Sequence, residues 1–227
     1  MVLILGTFRL MILVAALATV SSVLVAQNVV DKTVATVGTG MRTQLITYSD
    51  ILWQIALEPG RPLDPPRKQD LEQALETLIN QRIFMIEAER LPRATPSDAQ
   101  IAAEIGRILA YFPSSAAFET RLKQVGFDSV QDAAFQRLIA QRLAIEDYIE
   151  FRFGSFVVVT SEEESKFYRE TFVPDFRRRS PGVVLPTFEE KRNEIRELLT
   201  SEKKGLAIEK FLDEAKRRVP VIKLLDP

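Results

Sequence analysis

The sequence contains no cysteine and no histidine among its 227 residues. Without these side chains there is no thiolate nucleophile, no imidazole base, no disulfide and no zinc site built from the usual ligands. Carboxylate, lysine and hydroxyl chemistry stay open, but no motif combines these groups into a recognisable catalytic set. We therefore expect a protein that is not an enzyme, with no catalytic residue, no metal site and no cofactor.

The chain also lacks an excess of charge of either sign. Lys and Arg number 30 and Asp and Glu number 31, which gives a formal net charge of −1. A nearly neutral chain has no long-range basic field, so nucleic acid is not an expected partner. Hydrophobic residues make up 46 % of the chain and charged residues 27 %. This balance is typical of a globular protein.

Residues 1–26 have the pattern of a secretory signal peptide. Arg9 is their single charge, an apolar run follows over 10–20, and the segment ends in the small residue Ala26. An apolar run of about 11 residues is shorter than the roughly 20 that span a bilayer, so we expect cleavage and no stable membrane insertion afterwards. The alternative is an N-terminal membrane anchor. For the exported chain, 27–227, the absence of cysteine suits an oxidising compartment, and we expect the periplasm.

Helix signals dominate the rest of the chain. The most regular apolar stripe, at three- and four-residue spacing, covers 67–90. Capping-box patterns at Ser97 and Gln100, Ser161 and Glu164, and Thr187 and Glu190 predict further helix starts, and a cap at Ser49-Asp50 predicts a helix over 51–57. Ser129 is the predicted cap of a long helix that ends near residue 153.

Short β-branched segments are found near both ends of the exported chain. Segments 31–37 and 42–47 surround Gly38-Thr39-Gly40 and predict a small hairpin, and 221–225 predicts a terminal strand that completes its sheet. The expected fold class is therefore mainly α, a bundle of about six helices with a small sheet formed by the N-terminal hairpin and the C-terminal strand.

The order of these segments, and several short words within them, resemble the exported chaperone-foldases of the SurA and PrsA type. The matching words are VVDKTVATV (29–37), LETLINQRIFMIEAERL (75–91), VTSEEESKF (159–167), FEEKRNEIRELL (188–199) and VIKLL (221–225). The resemblance implies that 27–227 form a helical chaperone core whose N-terminal hairpin pairs with the C-terminal strand. It also implies a role in the folding of exported and outer-membrane proteins.

One departure from that family is informative. Its members usually carry one or two parvulin-type prolyl isomerase domains before the final helix, where this chain has only the interval 174–186, expected to be a loop. Parvulin sites resemble a cluster of His with Cys or Asp, which this chain does not supply. No catalytic residue is carried over, and we expect the isomerase domain to be absent.

Aromatic side chains are the candidate client-binding groups, because ring faces bind many apolar sequences without requiring one. The alternative for each ring is ordinary core packing. The site that we predict consists of Trp53, Tyr111, Phe112, Phe118 and Phe127, and the rings flanking the Pro113 break are expected to be exposed. The wider aromatic set also contains Phe135, Phe151, Phe153, Phe167, Tyr168 and Phe172.

Two charged triplets have alternative interpretations. Arg177, Arg178 and Arg179 either steer an acidic client or meet anionic lipid headgroups, or they belong to a solvated loop. Glu162, Glu163 and Glu164 are interpreted as first-turn charges with a capping box rather than as a metal site.

The expected function is an ATP-independent periplasmic holdase for unfolded apolar and aromatic segments of exported or outer-membrane proteins. The alternative is a non-catalytic envelope adaptor that binds one folded partner.

Overall fold

The computed structural model describes residues 31–89 and 95–226. The expected signal peptide lies outside the described residues.

The small sheet joins both ends of the described chain, as predicted. It consists of β1 (Thr33–Val37), β2 (Gln44–Thr47) and β3 (Val221–Lys223), all antiparallel, in the order β2-β1-β3. In this register Thr36 lies opposite Leu45 on one side and Ile222 on the other. Gly38 follows β1 with φ +97°, a conformation that favours glycine.

The remaining described chain is mainly helical, so the expected fold class is correct. The described residues contain seven separate helical segments. A π-helical turn at Glu150–Gly154 extends one α-helix, and another at Tyr168–Phe172 joins two α-helices into one continuous segment. The α-helices are α1 (Tyr48–Ala56), α2 (Lys68–Ala88), α3 (Asp98–Leu109), α4 (Ser115–Gln124), α5 (Ala133–Ile149), α6 (Ser161–Phe167), α7 (Val173–Arg179) and α8 (Phe188–Arg218). None of these described helices has the length and apolarity needed to cross a membrane.

The predicted caps are correct at two helices, and at three others a nearby residue caps the helix instead. The boxes of Ser97 with Gln100 and of Thr187 with Glu190 are present. At α1 the cap is Thr47 with Asp50, at α6 it is Thr160 with Glu163, and at α5 it is Asp132 in place of Ser129. In each displaced case several Ser, Thr or Asp side chains compete near the helix start, and the sequence alone does not rank them.

The interval 174–186 is not all loop, which corrects the expectation. Its first residues form α7, with Pro174 in the first turn, where a missing N–H costs little. Asp175 stabilises this helix by ion pairs to Arg178 at 2.8 Å and Arg179 at 3.2 Å. The loop itself begins after Arg179.

Two apolar cores hold the helices together. The first packs the sheet, α1, α2 and the ends of α5 and α8, with Ile46, Ile79 and Tyr148 at its centre. The second packs α3, α4 and the first half of α5 around Phe118 and Phe135. Helix α5 contributes to both cores, and so does α1, whose Ile51 lies in the first and whose Trp53 packs against the second.

Helix α8 has 31 residues, which corresponds to a length of about 46 Å. Its C-terminal half places Phe211 and Ala215 in the first core. Its N-terminal half packs instead against the continuous segment α6, π-turn and α7. We call residues 161–203, which comprise that segment, the loop and the first half of α8, the arm.

Candidate client-binding surface

Four of the five predicted site residues lie together, three of them buried and Trp53 partly buried against them. Trp53 packs against Phe127 with ring centroids 5.0 Å apart, and Phe112 packs against Phe118 at 4.7 Å. The indole Nε1 of Trp53 donates a hydrogen bond to the Val125 carbonyl oxygen at 2.9 Å. All four belong to the second core or pack against it.

The expectation that the rings flanking Pro113 are exposed is therefore wrong for two of the three. Phe118 has no exposed surface and Phe112 is buried, whereas Tyr111 is 75 % exposed. Helix α3 ends at Leu109, four residues before Pro113, and α4 begins two residues after the proline and brings Phe118 under Phe112. The proline turns the chain back on itself, so the rings meet each other rather than solvent.

An open aromatic groove lies elsewhere, on the arm. It has a volume of about 320 Å³ between the α6–α7 segment and α8. Helix α8 contributes Leu198, which is half exposed. The α6–α7 segment contributes the rings. The groove is lined chiefly by Phe167, Phe172, Phe176, Arg179, Glu194 and Leu198.

A ladder of three rings lies beside this groove, and two of them, Phe172 and Phe176, line it. Tyr168, Phe172 and Phe176 follow each other at four-residue spacing, so they share one face of the helical segment. Successive rings are stacked, with centroids 5.5 Å and 5.7 Å apart. The Tyr168 hydroxyl donates to the Pro186 carbonyl oxygen at 2.6 Å, which fixes one end of the ladder against the loop.

A π-helical turn carries the first two rings of the ladder. Tyr168–Phe172 is the π-turn between α6 and α7. It ends two residues before Pro174, which has no N–H to continue a regular α-helix. Single π-turns are uncommon and occur often at functional sites, which gives a second reason to consider this surface.

Ion pairs hold the two walls of the groove at a fixed separation. The carboxylate of Glu164 has no exposed surface and accepts hydrogen bonds from Arg196 Nε at 2.5 Å and Arg192 Nε at 3.0 Å. These bonds, that from Arg196 first, lower the pKa of Glu164. Beside it, the Lys203 ammonium and the Thr160 backbone N–H lower the pKa of Glu163 to about 2. Both carboxylates are ionised at neutral pH, so α6 stays joined to α8.

The first-turn interpretation of the acidic triplet is thus half correct. Glu163 is the capping residue of α6, with its carboxylate 2.8 Å from the Thr160 backbone nitrogen. Glu164, which was expected to cap the helix, points into the arm instead. Within residues 31–89 and 95–226, no group of three or more acidic side chains could hold a metal ion.

The sequence contained a signal for this groove that the prediction did not use. Phe167, Tyr168 and Phe172 were in the wider aromatic set, but Phe176 fell in an interval interpreted as loop. The four-residue spacing of Tyr168, Phe172 and Phe176 is visible in the sequence and becomes meaningful once 173–179 is helical.

A second, smaller groove separates α2 from α5. Its volume is about 220 Å³, and its lining is mainly aliphatic, with Met85, Ala88, Ala144 and Ile145. It presents no aromatic ring, so it matches the predicted chemistry less well than the arm does.

Comparison of the chain with protein-family models and with curated proteins found no match.

Proposed function

We propose that this protein is an ATP-independent periplasmic chaperone that holds unfolded apolar and aromatic segments of exported or outer-membrane proteins. The resemblance of its sequence words to the SurA and PrsA-type chaperones supports the proposal. The pairing of the N-terminal hairpin with the C-terminal strand agrees with what that resemblance implies. In this proposal the chain lacks a parvulin domain and does not catalyse prolyl isomerisation.

The observation that carries the proposal is the solvent-open aromatic groove of the arm. Stacked rings provide flat apolar faces that accept many side chains without a sequence requirement. The charged groups at its rim are paired with each other, Arg179 with Asp175 and Glu194 with Lys191. Charged side chains that are already paired beside an apolar floor favour apolar segments over strongly charged ones.

Burial argues against a client site at the predicted aromatic residues. Phe112, Phe118 and Phe127 stabilise the second core, and exposing them to a client would require that core to open. We therefore propose Phe172, Phe176 and Leu198 as the client-contacting residues. Tyr111 is exposed but lies outside the arm, so it serves as the control position for crosslinking.

Light scattering of an outer-membrane β-barrel protein diluted from urea tests the holding activity. The purified protein is expected to delay aggregation at a stoichiometric dose, and Leu198→Gln is expected to weaken the delay. Leu224→Gln is the matched control, because Leu224 is 52 % exposed against 50 % for Leu198 and directly follows β3, outside the arm. Absence of any delay would contradict the proposal.

Photo-crosslinking locates the contact. A benzophenone amino acid at Phe176 is expected to crosslink to the unfolded client, and one at Tyr111 is not. Crosslinks from Tyr111 alone would return the client site to the second core. A single folded partner that unfolded peptides do not displace would favour the adaptor function instead.

A further inference from the structure

The loop between α7 and α8 is apolar and points into solvent. Residues 180–188 contain no charged side chain. Val184 is 89 % exposed and Val183 is also exposed, so neither valine contributes to a core of the described chain. Exposed apolar side chains at a loop tip are typical of a surface that meets an apolar partner.

Three consecutive arginines precede this loop. Arg177, Arg178 and Arg179 form the last turn of α7, and all three are exposed. Asp175 pairs with Arg178 and Arg179. Within the part of the chain that the structure describes, Arg177 has no ion-pair partner. One carboxylate therefore pairs with two of the three guanidinium groups, which leaves an excess of positive charge.

The acidic residues on the facing turn of α8 do not neutralise these arginines. Glu189 pairs with Arg192 at 3.5 Å and Glu194 with Lys191 at 2.6 Å. Glu190 accepts the Thr187 backbone N–H at 2.7 Å as the helix cap. The end of the arm thus combines an excess of positive charge with exposed valines.

We propose that this end of the arm, residues 177–187, binds an anionic lipid surface. Arg177 and its neighbours contact lipid phosphates, and Val183 and Val184 enter the boundary between headgroups and acyl chains. Reversible binding of a protein segment to a membrane surface generally needs two signals, such as a basic cluster and an apolar insertion. Both are present here on adjacent residues.

A lipid surface matches this combination of arginines and exposed valines better than a soluble polyanion or an unfolded apolar client does. A soluble polyanion would use the arginines but leave the valines in water. An unfolded apolar client would use the valines but gain little from three positive charges. The proposal does not depend on client binding, because it uses the loop rather than the ring ladder.

Co-sedimentation with vesicles tests the proposal. The purified protein is expected to bind phosphatidylcholine vesicles that contain phosphatidylglycerol, and to bind pure phosphatidylcholine vesicles much less. Arg177→Gln should weaken binding about fivefold, the equivalent of one basic residue near an anionic surface. The double variant Val183→Ser with Val184→Ser should weaken it about tenfold.

The chain offers matched controls for both signals. Lys216, Arg217 and Arg218 form a second basic triplet at the end of α8, so Arg217→Gln removes one positive charge elsewhere, as Arg177→Gln does in the arm. Val158 is 72 % exposed, so Val158→Ser removes an equally open valine. Both control variants are expected to bind like the unmodified protein.

Because the chain has no cysteine, one dye can be attached at a single position. An environment-sensitive dye at Val184→Cys should shift to shorter wavelength on anionic vesicles, and the same dye at Val158→Cys should not. Equal binding to neutral and anionic vesicles, or equal losses in the control variants, would overturn the proposal. Polyglutamate binding as tight as vesicle binding would overturn the lipid assignment.

Discussion

Replacing Phe118 tests the assignment of the predicted aromatic site to the second core. Phe118 has no exposed surface, and its ring packs between Phe112 at 4.7 Å and Phe135 at 6.0 Å. Truncation of a buried phenylalanine to alanine costs about 3–5 kcal/mol, from lost burial and the cavity left behind. With a urea dependence of about 2 kcal/mol per molar, the unfolding midpoint should fall by about 2 M for Phe118→Ala.

Tyr111→Ala is the matched comparison, because Tyr111 comes from the same predicted site but is 75 % exposed. Its free energy of unfolding should change by less than about 0.5 kcal/mol. Phe118→Leu should cost less than Phe118→Ala, since much of the volume is kept.

Urea titration followed by tryptophan fluorescence suits this measurement. Trp53 is the single tryptophan, and it packs against Phe127 in the second core, so its emission reports on the region that Phe118 stabilises. Circular dichroism of the same samples follows the helices as a whole. Equal midpoints for Phe118→Ala and Tyr111→Ala would refute the assignment of Phe118 to the core.

Four further predictions concern the arm and two glycines. Glu164→Gln should loosen α6 from α8, because two arginines lose their buried carboxylate, and amide hydrogen exchange in α6 should become faster. The folded-state pKa of Glu163 is lowered from 4.5 to about 2, so its stabilising contribution is complete above pH 4.5 and is lost as the pH falls towards 2. Hydrogen exchange in α6 should therefore be unchanged between pH 7 and pH 5 and faster near pH 2, after correction for the intrinsic rates. Gly38→Ala should destabilise the fold by about 1–3 kcal/mol, because φ is +97° and a Cβ would lie 2.8 Å from the Arg42 carbonyl oxygen. Gly205→Ala, in open space within α8, should instead stabilise the fold by about 0.5–1 kcal/mol, and the same urea titration measures both glycine variants.

The elements that could be predicted from the sequence are those that depend on neighbours within a few residues. A capping box joins side chain and backbone three positions apart, so the starts of α3 and α8 could be identified correctly. Gly38 and the β-branched segments on either side of it likewise indicated the hairpin. Where two or more capping side chains compete within a few residues, as at α1 and α6, the same reasoning misplaced the cap.

The location of the site could not be predicted in this way. An amphipathic pattern shows that a residue faces an apolar neighbour, but it does not show whether that neighbour covers it completely. Phe118 and Phe176 are both phenylalanines on short helices, yet one is closed in by α3 and α5 and the other borders an open groove.

The sequence by itself determined the mainly helical class, the terminal sheet and the absence of cysteine and histidine chemistry, because composition and short-range patterns are sufficient for these. Only the tertiary structure decided which rings are buried and that Glu164 joins two arginines 28 and 32 residues away. It also decided that Leu198 completes a groove with Phe172 and Phe176. These features require segments far apart in the chain to meet, and the meeting depends on how all the helices pack together.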